Sequence, residues 1–377
     1  MLIAQLFDKP FYQVQKTLPR LAKLGITHVL VSPPQKSHSS PRWWGRYQPV
    51  DFTRVEGPLG DATALYYLCL EARRLGLTIV ADTVIHHLSN ESRYVKIRGN
   101  RILSAQYPRF SINDLRGLHR LGRGRGLPVL DTGSAWVRSE LKRYLQFLYE
   151  VGVRGFRFDS AKHIDPNLFP FLLEGLPPLL TFGELVYQRA ADYPDAYWKS
   201  MSAYDFPLAS GINRAFKWGG DMRGLIDPES LWGPRSITFV NHHDLARNRR
   251  GFADFRVRDL GDRKLAYAYL LSRPHGTPLV YGPDLRYREV KAAIRFHRRT
   301  VGFSAEPVLA EPDAVAFKRG DRALAVINKA GHPQQIETGM EPGVYRDLGT
   351  GWEGVTHRGR LHWSVPGRSA ALLWKVD

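Results

Sequence analysis

Cysteine is almost absent: Cys69 is the only one in 377 residues. That excludes an internal disulfide framework and any cysteine-based zinc centre. Cys69 reads as a small buried hydrophobe on a helix. Acidic residues are also in short supply, 36 against 54 Lys and Arg, for a formal charge of +18. No apolar run approaches the roughly 20 residues a bilayer span requires, so a membrane span is excluded. The N-terminus MLIAQLFDKP has no basic start, and Gln5 breaks its apolar run. It reads as a first strand rather than a secretory signal, which leads us to expect a cytoplasmic protein. No glycine fingerprint opens a helix after that strand, which argues against a dinucleotide-binding fold.

What is present is ample core material, 43% hydrophobic with 9 Trp, 17 Tyr and 18 Phe. One unit recurs: an amphipathic helical stretch, a glycine, then a short β-branched run with a polar residue at its far end. It appears as AKLG-ITHVLVSPP (22–34), ARRLG-LTIVADTVIHH (72–87) and YEVG-VRGFRFDSAKH (149–163). Gly25, Gly76 and Gly152 fall where a helix C-terminus needs a left-handed residue, and the following runs suit strands buried on both faces. Further strands are expected at Ile3–Phe7, Leu180–Val186, Ser202–Phe206, Ile237–Asn241 and Pro278–Tyr281. Eight parallel strands within residues 1–285 predict an α/β chain folded as a closed (β/α)8 TIM barrel.

From about residue 304 the pattern changes to short alternating runs (AVAFKRG, RALAVINKAG, GVYRDLG, LHWSVPG) separated by turn residues. This predicts a small antiparallel β domain. The expected organisation is therefore a catalytic barrel over 1–87 and 128–303, a short insertion over 88–127 after the third strand, and a C-terminal β domain over 304–377. Loops at the C-terminal face of such a barrel carry its chemistry.

The ends of the expected barrel strands are rich in carboxylates: Asp82 with His86 and His87, then Arg157 and Asp159, Glu184, and His243 with Asp244. Each ends an apolar run, where an unpaired charge is costly, so pairing or function must justify it. Carboxyl groups gathered around a cavity with Arg, His and rim aromatics match the needs of glycoside hydrolysis. Arg157, two residues before Asp159, falls on the same side of its strand and would pair with it. The basic surplus prompts a search for a polyanion footprint. Arginines cluster in LRGLHRLGRGRG (115–126), at Arg247, Arg249 and Arg250, and at Arg295, Arg298 and Arg299. No nucleic-acid motif accompanies them, so a nucleic-acid partner is not expected. An anionic surface or a phosphorylated glucan is the alternative use for the charge.

The segment GFRFDSAKH (155–163) resembles the second conserved region of the α-amylase family, glycoside hydrolase family 13. ADTVIHH (81–87), LPVLD (127–131), FGEL (182–185) and FVNHHD (239–244) fall in the family's order. WWGRYQPVDF (43–52) resembles its segment after the second strand, and LHWSVPGRSAALL the close of its C-terminal domain. The resemblance covers nearly the whole chain. It implies a retaining α-glucan hydrolase acting on internal α-1,4 bonds of starch, glycogen or maltooligosaccharides, with Asp159 as nucleophile, Glu184 as general acid/base and Asp244 as transition-state stabiliser. It further implies sugar contacts by His87 and His243, stacking by Tyr47, and a leaving-group side lined by Lys162 and His163. Trp43 and Trp44 are adjacent, so on an extended segment one of them, taken as Trp44, faces the glucan.

Two departures from the family pattern bear on its structural calcium. His86 stands where the family has a calcium-binding Asn, and Val129 where it has a calcium-binding Asp. Ca2+ wants oxygen ligands, so no metal or other cofactor is expected. His242, in place of the family's Asn, argues against chloride dependence. The same triad would serve a transglycosylase or an α-1,6 or small-oligosaccharide glucosidase. A non-catalytic glucan-binding or polyanion-binding barrel is the reading from a different class.

Overall fold

The computed structural model describes residues 1–95, 109–110, 126–177, 179–248 and 251–376. The Arg-rich stretch 115–125, most of the insertion, and Arg249 and Arg250 lie outside the described residues. Eight parallel strands close into a barrel: β1 (Ile3–Leu6), β2 (His28–Val31), β3 (Thr78–Thr83), β4 (Gly155–Phe158), β5 (Leu180–Gly183), β6 (Ser202–Tyr204), β7 (Ser236–Phe239) and β8 (Thr277–Tyr281). Each strand lies beside its sequence neighbours and β8 returns to β1. This is the (β/α)8 barrel expected from the strand count.

The chain packs as two compact units, Met1–Tyr187 with Ala191–Tyr204, and Gln188–Ala190 with Asp205–Asp377. In the first, helix α1 (Phe11–Leu24) buries Phe11, Val14, Leu18 and Leu21 along one stripe, as helical spacing requires, and ends on Gly25 at φ 91°. Helix α2 (Ala62–Arg74) starts on Asp61, whose carboxylate accepts the Ala64 N–H at 2.8 Å. It buries Cys69, whose thiol burial pushes up to about 12. Helix α3 (Ala135–Val151) ends on Gly152 at φ 115°, where a Cβ would fall 2.7 Å from Cys69 Cβ. Glycine therefore serves there both the left-handed turn and the close approach. Helix α4 (Leu168–Leu173) follows β4 and buries Leu168, Phe169 and Leu172.

In the second unit, α5 (Phe206–Phe216) is capped by Asp205. That carboxylate is buried and accepts from Leu208 N (3.0 Å), Leu231 N (2.9 Å), Ser230 Oγ (2.6 Å) and Ser236 Oγ (2.7 Å). Short helix α6 (His243–Arg247) follows β7, and α7 (Leu260–Ser272) and α8 (Arg288–Thr300) flank β8. The remaining strands of this unit are β9 (Ala305–Glu311), β10 (Ala314–Arg319), β11 (Ala323–Asn328), β12 (Gln334–Gly339), β13 (Val344–Asp347), β14 (Glu353–Val355), β15 (Arg360–Val365) and β16 (Ser369–Val376). They form a six-stranded antiparallel sheet in the order β9-β10-β11-β16-β13-β14 and a two-stranded β12-β15 ribbon. A core including Leu324, Val326, Tyr345, Leu361 and Leu373 fills this region. Among the described residues no helix is long and apolar enough to cross a membrane.

Candidate active site

The β3–β4 register sets Asp82 opposite Arg157. Strand alternation then brings Asp159 to the same side as Arg157, just past the end of β4. Past β5, the Glu184 N–H still reaches Phe158 O at 2.9 Å, and the Asp159 N–H reaches Thr83 O at 3.0 Å. Both carboxylate-bearing residues are thus held by backbone bonds that extend the sheet beyond its regular strands.

Arg157 is fully buried and gathers three carboxylates. Its Nη1 donates to Asp82 Oδ1 and to Asp159 Oδ1, each at 2.8 Å, and Nη2 lies 3.1 Å from Glu184 Oε2. Burial opposes the guanidinium charge, but Asp82, Glu184 and Asp159 outweigh it and raise its pKa well above the usual value. Its guanidinium carbon also lies 5.8 Å from the Tyr47 ring centroid and 5.7 Å from that of Tyr204.

Ser160 links two of these carboxylates. It adopts φ 50°, a left-handed conformation uncommon for a non-glycine residue. Its N–H donates to Glu184 Oε2 and its hydroxyl to Asp159 Oδ2, each at 3.1 Å. The Tyr47 hydroxyl donates to Asp82 Oδ2 at 2.7 Å, and its ring stacks on Phe7 at 6.2 Å.

His87 Nε2 lies 2.9 Å from the Tyr47 carbonyl, which can only accept, so Nε2 carries the proton. Nδ1 of neutral His87 is then an acceptor, and His86 Nδ1, 3.3 Å away, is its donor. Burial lowers the pKa of both rings, in His86 reinforced by His87 and His163, and in His87 partly opposed by Asp159 and the Tyr47 carbonyl. His163 packs against His86 with ring centroids 5.7 Å apart. Val129 is buried and bridges His87 in a short antiparallel pairing. Lys162 Nζ donates to Val186 O at 3.0 Å and sits 4.2 Å from the Tyr187 ring centroid.

The backbone at the tryptophan pair differs from the extended segment expected. Residues Trp43–Tyr47 form a 3-10 turn rather than an extended segment, so adjacent side chains do not simply alternate. Trp43 packs on Phe7 (6.0 Å) and Tyr47 (6.3 Å), whereas Trp44 packs on His38 (5.5 Å). It is Trp43 that joins the Tyr47 cluster.

In the second unit, past β7, His243 Nε2 lies 3.1 Å from Asp244 Oδ2, and His242 Nδ1 accepts the Asp244 N–H at 3.3 Å. Burial would raise the Asp244 carboxyl, but His243 and His242 outweigh it and hold it well below the usual range. Ligand atoms of His242, His243 and Asp244 lie within 4.8 Å of one another, the only such group among the described residues able to hold a metal ion. Sequence reading missed Ser160 and the clamping part played by Asp82, and it took Trp44 rather than Trp43 from the adjacent pair. Asp82 did stand out as a charge ending a buried strand, whereas the Ser160 conformation leaves no mark in composition or spacing.

No family model matches the chain. It is 32% identical to an α-amylase of Aeromonas hydrophila over 401 positions, covering 88% of this chain and 85% of that one. Among solved structures, α-amylase I from Eisenia fetida has the same fold, with a TM-score of 0.86 at 19% identity over 100% of this chain and 97% of that one. A mutant of that protein in complex with maltohexaose has a TM-score of 0.85 at the same identity and coverage. With such identity to the Aeromonas hydrophila enzyme across most of both chains, and with carboxylates ending the strands of the same barrel, the chain belongs to the α-amylase family, glycoside hydrolase family 13.

Proposed function

We propose that this glycoside hydrolase cleaves internal α-1,4 bonds of α-glucans with retention, using Asp159, Glu184 and Asp244. The observation that carries the reading is the sharing of Arg157 by Asp159 and Glu184. Two carboxyl groups against the two terminal nitrogens of one guanidinium favour the close spacing of about 5–5.5 Å used by retaining enzymes over the roughly 6.5–9.5 Å of inverting ones. The Aeromonas hydrophila relative is an α-amylase, and maltohexaose is bound in the Eisenia fetida structure, which supports an α-glucan substrate.

In the first step an Asp159 oxygen attacks the anomeric carbon while Glu184 gives its proton to the leaving glycosidic oxygen. A glycosyl ester on Asp159 results. Glu184, now a carboxylate, takes a proton from water as that water attacks the same carbon and releases Asp159. Three buried carboxylates around one guanidinium crowd negative charge, so one of them holds a proton readily. In this reading Glu184, held through Oε2 by Arg157 Nη2 and the Ser160 N–H, is the group that carries it. In this reading Asp244 stabilises the oxocarbenium-like transition state, His87 and His243 bond sugar hydroxyls, Tyr47 with Trp43 walls the cleavage subsite, and Lys162 and His163 face the leaving group.

The reading includes no calcium. A buried neutral imidazole packed on His163 and an isopropyl group are the side chains at the two ligand positions, and neither fits an ion that takes oxygen ligands. His243 and Asp244 are assigned to the sugar, with buried His242 accepting the Asp244 N–H behind them.

The test is release of reducing ends from soluble starch with and without EDTA, beside a Glu184→Gln variant. Activity that survives chelation, yields a ladder of α-configured oligosaccharides and falls by about 10²–10⁴ in the variant is the expected result. Loss to EDTA would overturn the metal-free assignment, and products longer than the donor would point to transglycosylation.

A further inference from the structure

A cavity of about 1060 Å³ lies in the second unit. Ligand pockets commonly measure about 300–1,000 Å³, so a short oligosaccharide has room here. At its rim Trp218 is fully exposed, although tryptophan is a side chain that folding usually covers.

The turn that presents this indole is tightly built. Helix α5 ends at Phe216, and at Gly220 a Cβ would fall 2.2 Å from Arg214 O, so only glycine fits. Lys329, reaching from just past β11, donates to Ala215 O at 2.9 Å and to Gly220 O at 2.6 Å. Its ammonium thereby satisfies carbonyls at the helix C-terminus and pins both ends of the turn. Asp313 pairs with the same ammonium at 3.2 Å. The backbone that carries the indole is therefore held by the fold, and the indole itself is left uncovered.

The walls identify the chemistry of the occupant. Arg368 pairs with Asp259 at 3.1 Å and with Asp262 at 2.6 Å. Four basic side chains (Lys217, Arg258, Lys329, Arg368) face three carboxylates (Asp259, Asp262, Asp313), so the lining is nearly charge-balanced. A balanced wall of paired charges does not select a polyanion, whereas its remaining donor and acceptor positions suit neutral hydroxyls. An indole face beside such groups suits a pyranose ring, whose axial C–H face is apolar and whose rim is polar.

We infer that the Trp218 cavity is a secondary binding site for neutral α-glucan, its lining sharing no residue with the proposed catalytic set. The inference rests on the α-glucan reading above. Its function is to retain a polymeric substrate, and Lys329 is a positioning residue for Trp218.

The test compares retention by glycogen in native gels for Glu184→Gln protein with and without Trp218→Ala, together with hydrolysis of maltoheptaose by Trp218→Ala in the active chain. Glycogen retention is expected to weaken roughly three- to tenfold, the loss of one aromatic contact. Trp218→Phe should restore most of it. Maltoheptaose hydrolysis should be unchanged, while the KM for glycogen rises. Unaltered glycogen retention in Trp218→Ala, with maltoheptaose still cleaved, would overturn the secondary site alone. Loss of binding to phosphorylated starch but not to glycogen would overturn the choice of a neutral ligand. A chain that neither cleaves maltoheptaose nor binds glycogen would overturn both readings.

Discussion

Asp82 and Arg157 face each other across the β3–β4 register and are joined by a 2.8 Å bond, both completely buried. Removing one partner of a buried pair strands the other, at a cost of about 3–5 kcal/mol where nothing else compensates. Asp159 and Glu184 remain beside Arg157, so Asp82→Asn should fall at or below the lower end, about 3 kcal/mol. Arg157→Met, which leaves three carboxylates without their cation, should cost more. Urea unfolding of the two variants checks this order. Equal losses would mean that Asp159 and Glu184 do not compensate Arg157 once Asp82 is neutral.

Ser160 offers a sharper test of how the reacting carboxylates are oriented. Ser160→Gly keeps the backbone conformation and the N–H to Glu184 but deletes the hydroxyl on Asp159. A hydrogen bond to a charged group contributes about 1.5–3 kcal/mol, so kcat should fall about 10- to 100-fold with KM little changed. Ser160→Ala deletes the same hydroxyl and adds backbone strain at φ 50°, so it should be the less stable of the two. Steady-state kinetics on maltoheptaose with parallel thermal melts distinguishes these effects.

Acid should destabilise the protein through histidines that the fold keeps neutral. Burial lowers the His28 pKa to about 4, and burial also lowers His86 and His87. The unfolded chain takes up these protons near pH 6.5 while the native state does not. The stability associated with His28 is complete above pH 6.5 and declines by roughly 3 kcal/mol as pH falls to about 4, with His86 and His87 adding to the loss. Urea midpoints at pH 7 and pH 4.5 should show the decline, and His28→Gln should make it shallower. A midpoint that rises on acidification would refute this account.

Arg319 should be a large single contributor to the stability of the second unit. It is buried, and its guanidinium donates to the carbonyls of Ser272 (2.6 Å), Thr300 (2.8 Å), Phe303 (2.9 Å) and Ser304 (3.3 Å). These oxygens lie at or just beyond the ends of α7 and α8, where helices leave carbonyls unsatisfied. Arg319→Met would leave several buried acceptors without a donor, at about 1–3 kcal/mol for each one that water does not reach. Arg319→Lys should recover only part, because an ammonium cannot span the same fork. Chemical unfolding followed by far-ultraviolet circular dichroism measures both.

Much of the scaffold was legible in the residues. The eight barrel strands were expected within a few positions of where they occur, because short β-branched runs buried on both faces and bounded by helix-ending glycines have few other uses. Gly25 and Gly152 take the left-handed conformations their places implied. The strand ends also named the carboxylates, since a charge closing an apolar run needs a partner. The C-terminal strands were only partly legible. AVAFKRG and RALAVINKAG alternate clearly, but β9 and β14 are largely exposed edge strands and carry a weak hydrophobic pattern.

What residue order by itself determined was the alternation of strand and helix, the set of acidic and basic groups at the strand ends, and the family to which they belong. Tertiary structure decided how those groups are shared. Only the lateral register of β3 against β4 puts Asp82 on Arg157, and only a left-handed Ser160 can turn its N–H to one carboxylate and its hydroxyl to another. Only a 3-10 turn places Trp43 rather than Trp44 beside Tyr47. The physical reason is range. Propensity, capping and alternation act over a few neighbouring residues, whereas the 75 positions separating Asp82 from Arg157 are bridged by a hydrogen bond that exists only once the barrel has closed around it.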